Sequence, residues 1–153
     1  MHRYSARTAW SRNGATFSDN RYSRGHEWSF DGGVTVPASA SPSIVPAPWS
    51  VAAAVDPEEA LVASASSCHM LWFLSLAAKR GFVVDSYVDD AFGVMEKNAD
   101  GKLAFSRITL QPNVSFGGAA QPTEDEIAFL HHDAHAECFI ANSLKCDIVV
   151  EAE

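Results

Sequence analysis

The sequence predicts an α+β domain: an antiparallel sheet packed against a long central helix and a second helix. Three observations predict it. The first 36 residues alternate apolar or aromatic with polar positions, two capping-box signals open helical runs, and an Asn-Ala-Asp-Gly turn separates two long alternating stretches. The resulting order is strands, helix, hairpin, helix, strand, with no internal repeat. A chain of 153 residues is one domain's worth. We divide it into N-terminal strands (1–36), a proline-rich connection (37–55) and a helix-hairpin-helix-strand region (56–153).

Each element has its own signal. "RTAW", "ATFS" and "HEWSF" read as short strands of a meander that turns at Gly14 and Asp31-Gly32-Gly33. Five prolines between Pro37 and Pro57 forbid helix or central strand there, which leaves a surface connection. Asp56 then caps a helix, with Pro57 at its first position and Glu59 completing the box. That helix runs to about Arg80 and stops at Gly81. Its first half is rich in Ala and Ser, and its second half, Met70 to Leu76, is bulky. "FVVDSYVDDAFGVMEK" and "KLAFSRITLQPNVSF" flank the hairpin turn Asn98–Gly101. Thr123 and Glu126 cap the second helix, "CFIANSLK" reads as a last short helix, and "CDIVVEAE" as a closing strand.

Composition removes several function classes. Charged residues make up 20% and the net charge is −8, which argues against general nucleic-acid binding. Arg3, Arg7, Arg12, Arg21 and Arg24 all fall early in the chain, and we expect them to spread along strand faces and turns. Three cysteines are too few for a disulfide scaffold, and "MHRYSARTAW" lacks the apolar core of a signal peptide. Both favour the cytoplasm. Ala60 to Ala78 carries no charge, close to the length of a membrane span. Four serines and one histidine dilute it, so we expect no membrane but a helix buried on all sides in a soluble core.

Cys68 and Cys138 each have histidine close by, His69 and His135, and three readings are open. The first is plain core, since cysteine is among the most buried residue types; Cys146, beside Ile148 and Val149, fits it well. The second is a metal site drawn from Cys68, His69, His131, His132, His135 and Cys138. His131, His135 and Cys138 share one face if the helix continues, but Cys68 and His69 point about 100° apart and no Cys-x-x-Cys exists. The third is a redox pair. Cys68 sits too far into its helix for the dipole to activate it, so a cation must come from elsewhere, and the N-terminal strands hold most of the arginines. Cys138 is then the thiol that resolves an oxidised Cys68.

"DPEEALVASASSCHM" resembles the Asn-Pro-Glu-Glu-Leu segment leading to Ser-Cys-His-Met in the osmotically inducible protein C and organic hydroperoxide resistance (OsmC/Ohr) family. "AHAECFIANSL" is similar to the segment holding that family's second cysteine, especially in its OsmC-like branch. "YSRGH", Tyr22 to His26, is similar to a Tyr-Ser-Arg-Asp-His stretch of the same branch. The resemblance covers nearly the whole chain, in order. Asp56 stands where Asn is usual and Gly25 where Asp is usual; Asp56 still caps.

The resemblance implies an intertwined homodimer that reduces organic hydroperoxides with thiols, its active sites at the subunit interface. Cys68 matches the peroxidatic cysteine, Cys138 the resolving one, and Glu58 the family glutamate ten residues earlier. Arg24 is our choice of activating arginine, with Arg21 three positions away. No metal, haem, flavin or other cofactor is implied, and a dithiol, a lipoyl group in related proteins, resets the pair. Glu58 and Cys68 lie roughly 15 Å apart along a straight helix, so one arginine does not easily touch both. We therefore expect Glu58 to reach the site from the partner subunit. Met70, Trp72, Phe73, Trp49 and Phe139 are candidates for an apolar approach, with core packing as the alternative for each. His69 and His135 are expected to be hydrogen-bonded neighbours of the site. Two other outcomes stand beside the peroxidase: an acyl-transfer enzyme with Cys68 as nucleophile and His135 as base, and a non-catalytic redox sensor or binding protein on the same fold.

Overall fold

The computed structural model describes residues 1–152. The chain divides into two compact units, Met1–Ala60 and Leu61–Glu153.

The first unit carries a three-stranded antiparallel sheet in the order β1-β2-β3: β1 Ala6–Ala9, β2 His26–Phe30 and β3 Thr35–Ala38. "RTAW" and "HEWSF" are strands as expected. "ATFS" is not. Those residues are irregular chain leading into a turn, and Phe17 leaves any strand register to stack on Tyr22 at 4.6 Å and pack against Trp10. The third strand instead lies at the proline-rich boundary, where Pro37 is tolerated because β3 is an edge.

Helix α1, Pro57–Lys79, starts as its residues dictate. Asp56 Oδ1 accepts the Glu59 N–H at 2.7 Å, and Glu59 Oε2 accepts the Asp56 N–H at 3.2 Å. It stops at Gly81, whose φ of +81° suits glycine. By length and composition the helix could cross a membrane. Within the chain it is buried along one stripe only, Ala65, His69, Phe73 and Ala77, spaced four apart. The expected burial on all sides is therefore corrected: Leu71, off that stripe, is 63% exposed.

The hairpin forms at Asn98–Gly101, but each of its long strands is broken once. β4 Val83–Asp89 pairs with β7 Pro112–Gly117, and β5 Phe92–Lys97 pairs with β6 Leu103–Leu110, both antiparallel. The register runs on from one pair to the next, since Phe92 faces Thr109 and Asp89 faces Pro112. At the break Asp89 Oδ1 accepts the Gln111 N–H at 2.6 Å, so a side chain replaces the ladder. The closing strand β8, Asp147–Val150, joins β6 in parallel, a departure from a purely antiparallel sheet. Helix α2, Glu124–Glu137, has the full Thr123–Glu126 capping box. "CFIANSLK" contains only a 3-10 turn, Ala141–Ser143.

Two clusters form the core of the second unit. Phe73 and Ala77 of α1 pack on Leu130 and Ala134 of α2 over Tyr87 and Phe116. Ala65 packs on Ile108 and Leu110, with Cys146 and Ile148 at the margin. The apolar stripe of α1 thus lies against α2 at its C-terminal half, which decides where Cys68 points.

Candidate active site

Cys68 lies midway along α1 and is half-buried. Cys138 is the C-cap of α2, with extended backbone at φ −65°, ψ 113°, and is buried. The helix has ended before Cys138, so it leaves the face shared by His131 and His135. The two thiols are neighbours: Cys68 is among the groups that raise the Cys138 pKa. Both are free thiols. Cys138 Sγ also accepts the Ala141 N–H at 3.4 Å, from the 3-10 turn that follows. Burial pushes the Cys138 thiol up, the Ala141 N–H opposes this, and Cys68 adds to the rise. Cys138 therefore stays protonated where an ordinary thiol begins to ionise.

One residue further along α1, His69 turns away from the thiols toward α2. It is buried, and its Nε2 lies 3.0 Å from Nδ1 of His131. The ring planes are within 7° and the centroids 5.3 Å apart, which exceeds the N···N distance by about one ring's width. The rings thus meet edge to edge in nearly one plane, an in-plane hydrogen bond rather than a stack. Burial first, then His131 and His135, hold the His69 pKa down at about 4. Burial holds His131 at about 4 as well, with Asp89 pulling the other way. Both rings are neutral at neutral pH, and the bond needs one donor and one lone pair. The ring face of Phe73 covers His131, their centroids 4.4 Å apart.

Beside this pair Asp89 accepts the Ser66 hydroxyl, and burial with the Asp89 charge raises the Tyr87 pKa. Tyr87 Oη, His69 Nδ1, His131 Nε2 and His135 Nδ1 are buried without a partner among the described residues. No three His, Cys, Asp or Glu among those residues are arranged to hold a metal.

Of the apolar candidates, Phe139 is exposed and touches Trp72 edge to face at 5.5 Å. Phe73 is core, fully buried beneath α2, and takes no part in an approach.

In the N-terminal unit, Arg24 stands just before β2. Its Nη1 donates to the carbonyls of Asn20 (2.9 Å) and Tyr22 (2.6 Å), and its Nη2 to Asn20 Oδ1 (2.7 Å). The guanidinium lies 3.9 Å over the Tyr22 ring. Nε–H and one Nη2 proton remain uncommitted among the described residues. Asn20 achieves this grip with φ +60°, a conformation Asn tolerates. Arg24 borders a cavity of ≈430 Å³ that is walled by Trp10, Phe17, Tyr22 and His26. Glu58 is half-buried in the first turn of α1, and it forms no salt bridge with Arg24 among the described residues.

Sequence reading did not find His131 as the partner of His69, Asn20 as the clamp on Arg24, or the Ser66–Asp89 bond. The one available signal was the histidine beside a cysteine on a helix's buried stripe.

A two-helix α+β protein with paired, unbridged thiols is the class that the fold and site define. The chain belongs to the OsmC-like protein family, whose model matches residues 50–153. It is 50% identical to an OsmC-like protein of unknown function from Vibrio cholerae O1 biovar eltor str. N16961, over 100% of both chains, with a TM-score of 0.98. The fold is also that of an organic hydroperoxide resistance protein from Elizabethkingia anophelis (15% identity, TM-score 0.72, 99% of this chain and 94% of that one). OhrB of Bacillus subtilis, likewise an organic hydroperoxide resistance protein, gives 16% identity and a TM-score of 0.69 over 99% and 98%. No curated protein matches the chain by sequence.

Proposed function

We propose that this protein is a cytoplasmic thiol peroxidase that reduces organic hydroperoxides to alcohols and works as a homodimer. The observation that carries the reading is the proximity of two free thiols, Cys68 lying near enough to Cys138 to raise its pKa. Membership of a family with hydroperoxide resistance proteins among its structural neighbours supports it.

Cys68, as thiolate, attacks the distal oxygen of the hydroperoxide. The O–O bond breaks, the alkoxide leaves and takes a proton, and Cys68 becomes a sulfenic acid. Cys138 then condenses with it, water leaves, and a disulfide remains. A dithiol reductant such as a lipoyl group restores both thiols by exchange. Arg24 holds the thiolate and stabilises the departing alkoxide. One of its two uncommitted donors meets the carboxylate of Glu58 of the partner subunit, and the other is left for the sulfur and the departing oxygen. The uncovered face of α1 at Leu71, beside the small residues of the helix's first half, suits such pairing. Metal, haem and flavin have no part in the cycle.

The test is hydroperoxide consumption with dihydrolipoamide, using cumene and tert-butyl hydroperoxides. Cys68→Ser should abolish it, and Cys138→Ser should stop it after a single turnover. Rapid thiol oxidation with negligible turnover in the parent would mark a redox sensor instead. Full turnover in Cys138→Ser would point to a one-thiol chemistry.

A further inference from the structure

Among the described residues, two side-chain hydrogen bonds tie α1 to α2: Arg80, one residue past the end of α1, donates to Asp133 at 3.2 Å at the surface, and His69 meets His131 in the buried middle, beside the thiols. We propose that the His69–His131 bond is a positioning element of the two-thiol reaction, locking the register of α1 against α2 so that Cys138 lies beside Cys68. The proposal rests on the reading of the thiols given above and adds the device that brings them together.

The placement is specific. His69 follows Cys68 directly, and His131 stands two helical turns before Cys138. Next to it Phe73 and Ala77 pack against Leu130 and Ala134, and the Arg80–Asp133 pair lies about three turns further along, partly exposed, where a flexible arginine can follow a slip. Such apolar contact is non-directional, and its two alanines leave low ridges over which helices slide. A coplanar bond between two rigid rings is directional, and it is lost when the helices slip by one residue's rise, about 1.5 Å.

The reaction has little tolerance for such a slip. In the condensing step the S–S bond forms, the S–O bond of the Cys68 sulfenic acid breaks, and the Cys138 proton leaves with the hydroxyl as water. That step requires the Cα atoms within about 7 Å and the Cβ vectors facing. The other titratable groups around the pair are His135 on α2 and Tyr87 and Asp89 on β4. None of them bonds across the two helices among the described residues.

The two ring atoms used indicate the conservative replacements. Asn places its amide where Nδ1 of His131 lies, and Gln places its amide where Nε2 of His69 lies. Leu at 131 keeps volume and removes the bond. Two rates are read in a Cys146→Ser background. One is closure of the Cys68–Cys138 disulfide driven by diamide, which oxidises the dithiol and needs no peroxide. The other is formation of the Cys68 sulfenic acid by cumene hydroperoxide, trapped with dimedone in a Cys138→Ser partner variant.

His131→Leu should slow closure about tenfold or more and leave sulfenic acid formation within about twofold. His131→Asn and His69→Gln should close within about threefold of the parent. Closure at the parental rate in His131→Leu overturns the proposal, as does His131→Asn being as slow as His131→Leu. If His131→Leu does not fold, His131→Gln replaces it, because its amide reaches past the bonding position and should be slow. A parent that closes with diamide but does not consume peroxide defeats the peroxidase reading and leaves this proposal to the closure rates.

Discussion

The thiol of Cys138 is buried and is pushed up in pKa by burial and by its neighbour Cys68, which is half-buried on α1. The asymmetry divides the labour. The more open sulfur can meet a substrate, and the covered one can meet only its neighbour.

Iodoacetamide should register this directly. Burial is the largest cause holding Cys138 protonated, and it persists when Cys68 is replaced. In a Cys68→Ser, Cys146→Ser variant, Cys138 should alkylate about tenfold more slowly than in the same chain unfolded in urea, near pH 8. Its rate should go on climbing above the pH at which the unfolded thiol levels off. Equal rates in the two states would show that the thiol is neither covered nor shifted.

Two phenylalanines separate stability from selectivity. Phe73 is fully buried against His131, Tyr87 and Phe116, so Phe73→Ala should cost about 3–5 kcal/mol in urea unfolding. Phe139 is 66% exposed and touches Trp72, so Phe139→Ala should cost no more than about 1 kcal/mol. We expect Phe139→Ala to raise KM for cumene hydroperoxide more than for tert-butyl hydroperoxide. A large stability loss at Phe139, or none at Phe73, would reverse the assignment.

What the sequence made legible was local. Asp56 and Thr123 announce their helices because a cap needs only residues three apart, and both capping boxes are present. Gly101, φ +74°, marks the hairpin turn for the same reason. The motifs around Cys68 and Cys138 named the two thiols, although nothing in their spacing requires them to be neighbours. What stayed hidden depends on distant partners. "ATFS" alternates like a strand, but Phe17 finds Trp10 and Tyr22 instead of a ladder. The hairpin breaks where Asp89 takes the Gln111 N–H, and no pattern within either strand announces that bond. Val149 and Val150 read as a strand, yet only the tertiary fold makes its pairing with β6 parallel. His69 sits on an apolar stripe and reads as core until His131 arrives from another helix.

Acid should find the same histidine pair. Both rings are held at about 4, below the ordinary 6.5, so between those values the unfolded chain binds protons that the folded chain refuses. Stability therefore rises with pH across this window. On acidification the loss begins below 6.5 and is complete near 4, on the order of 3 kcal/mol for each ring. Urea midpoints at pH 7, 5.5 and 4.5 measure it. The double variant His69→Gln, His131→Asn cannot titrate there and should show a shallower fall. Matching slopes in parent and double variant would mean that the pair does not resist protonation.

Gly93 tests how tightly the hairpin lies on α1. It sits in β5 opposite Ile108, and a Cβ there would run into the Phe105 ring and stand 3.0 Å from Val62 Cγ2 of the helix. Its φ is not positive, so an alanine carries no backbone strain, and only crowding opposes it. Phe105 packs in the cluster of Ala65, Ile108 and Leu110, which leaves its ring little room to turn aside. Gly93→Ala should therefore destabilise by about 1–3 kcal/mol, despite the higher strand propensity of alanine. Phe105→Leu in the same chain should recover part of the loss, because the shorter side chain vacates the space that the new methyl needs. Urea unfolding of the two single variants and the double variant gives the coupling directly. Additive losses would show that the two residues do not compete for one volume.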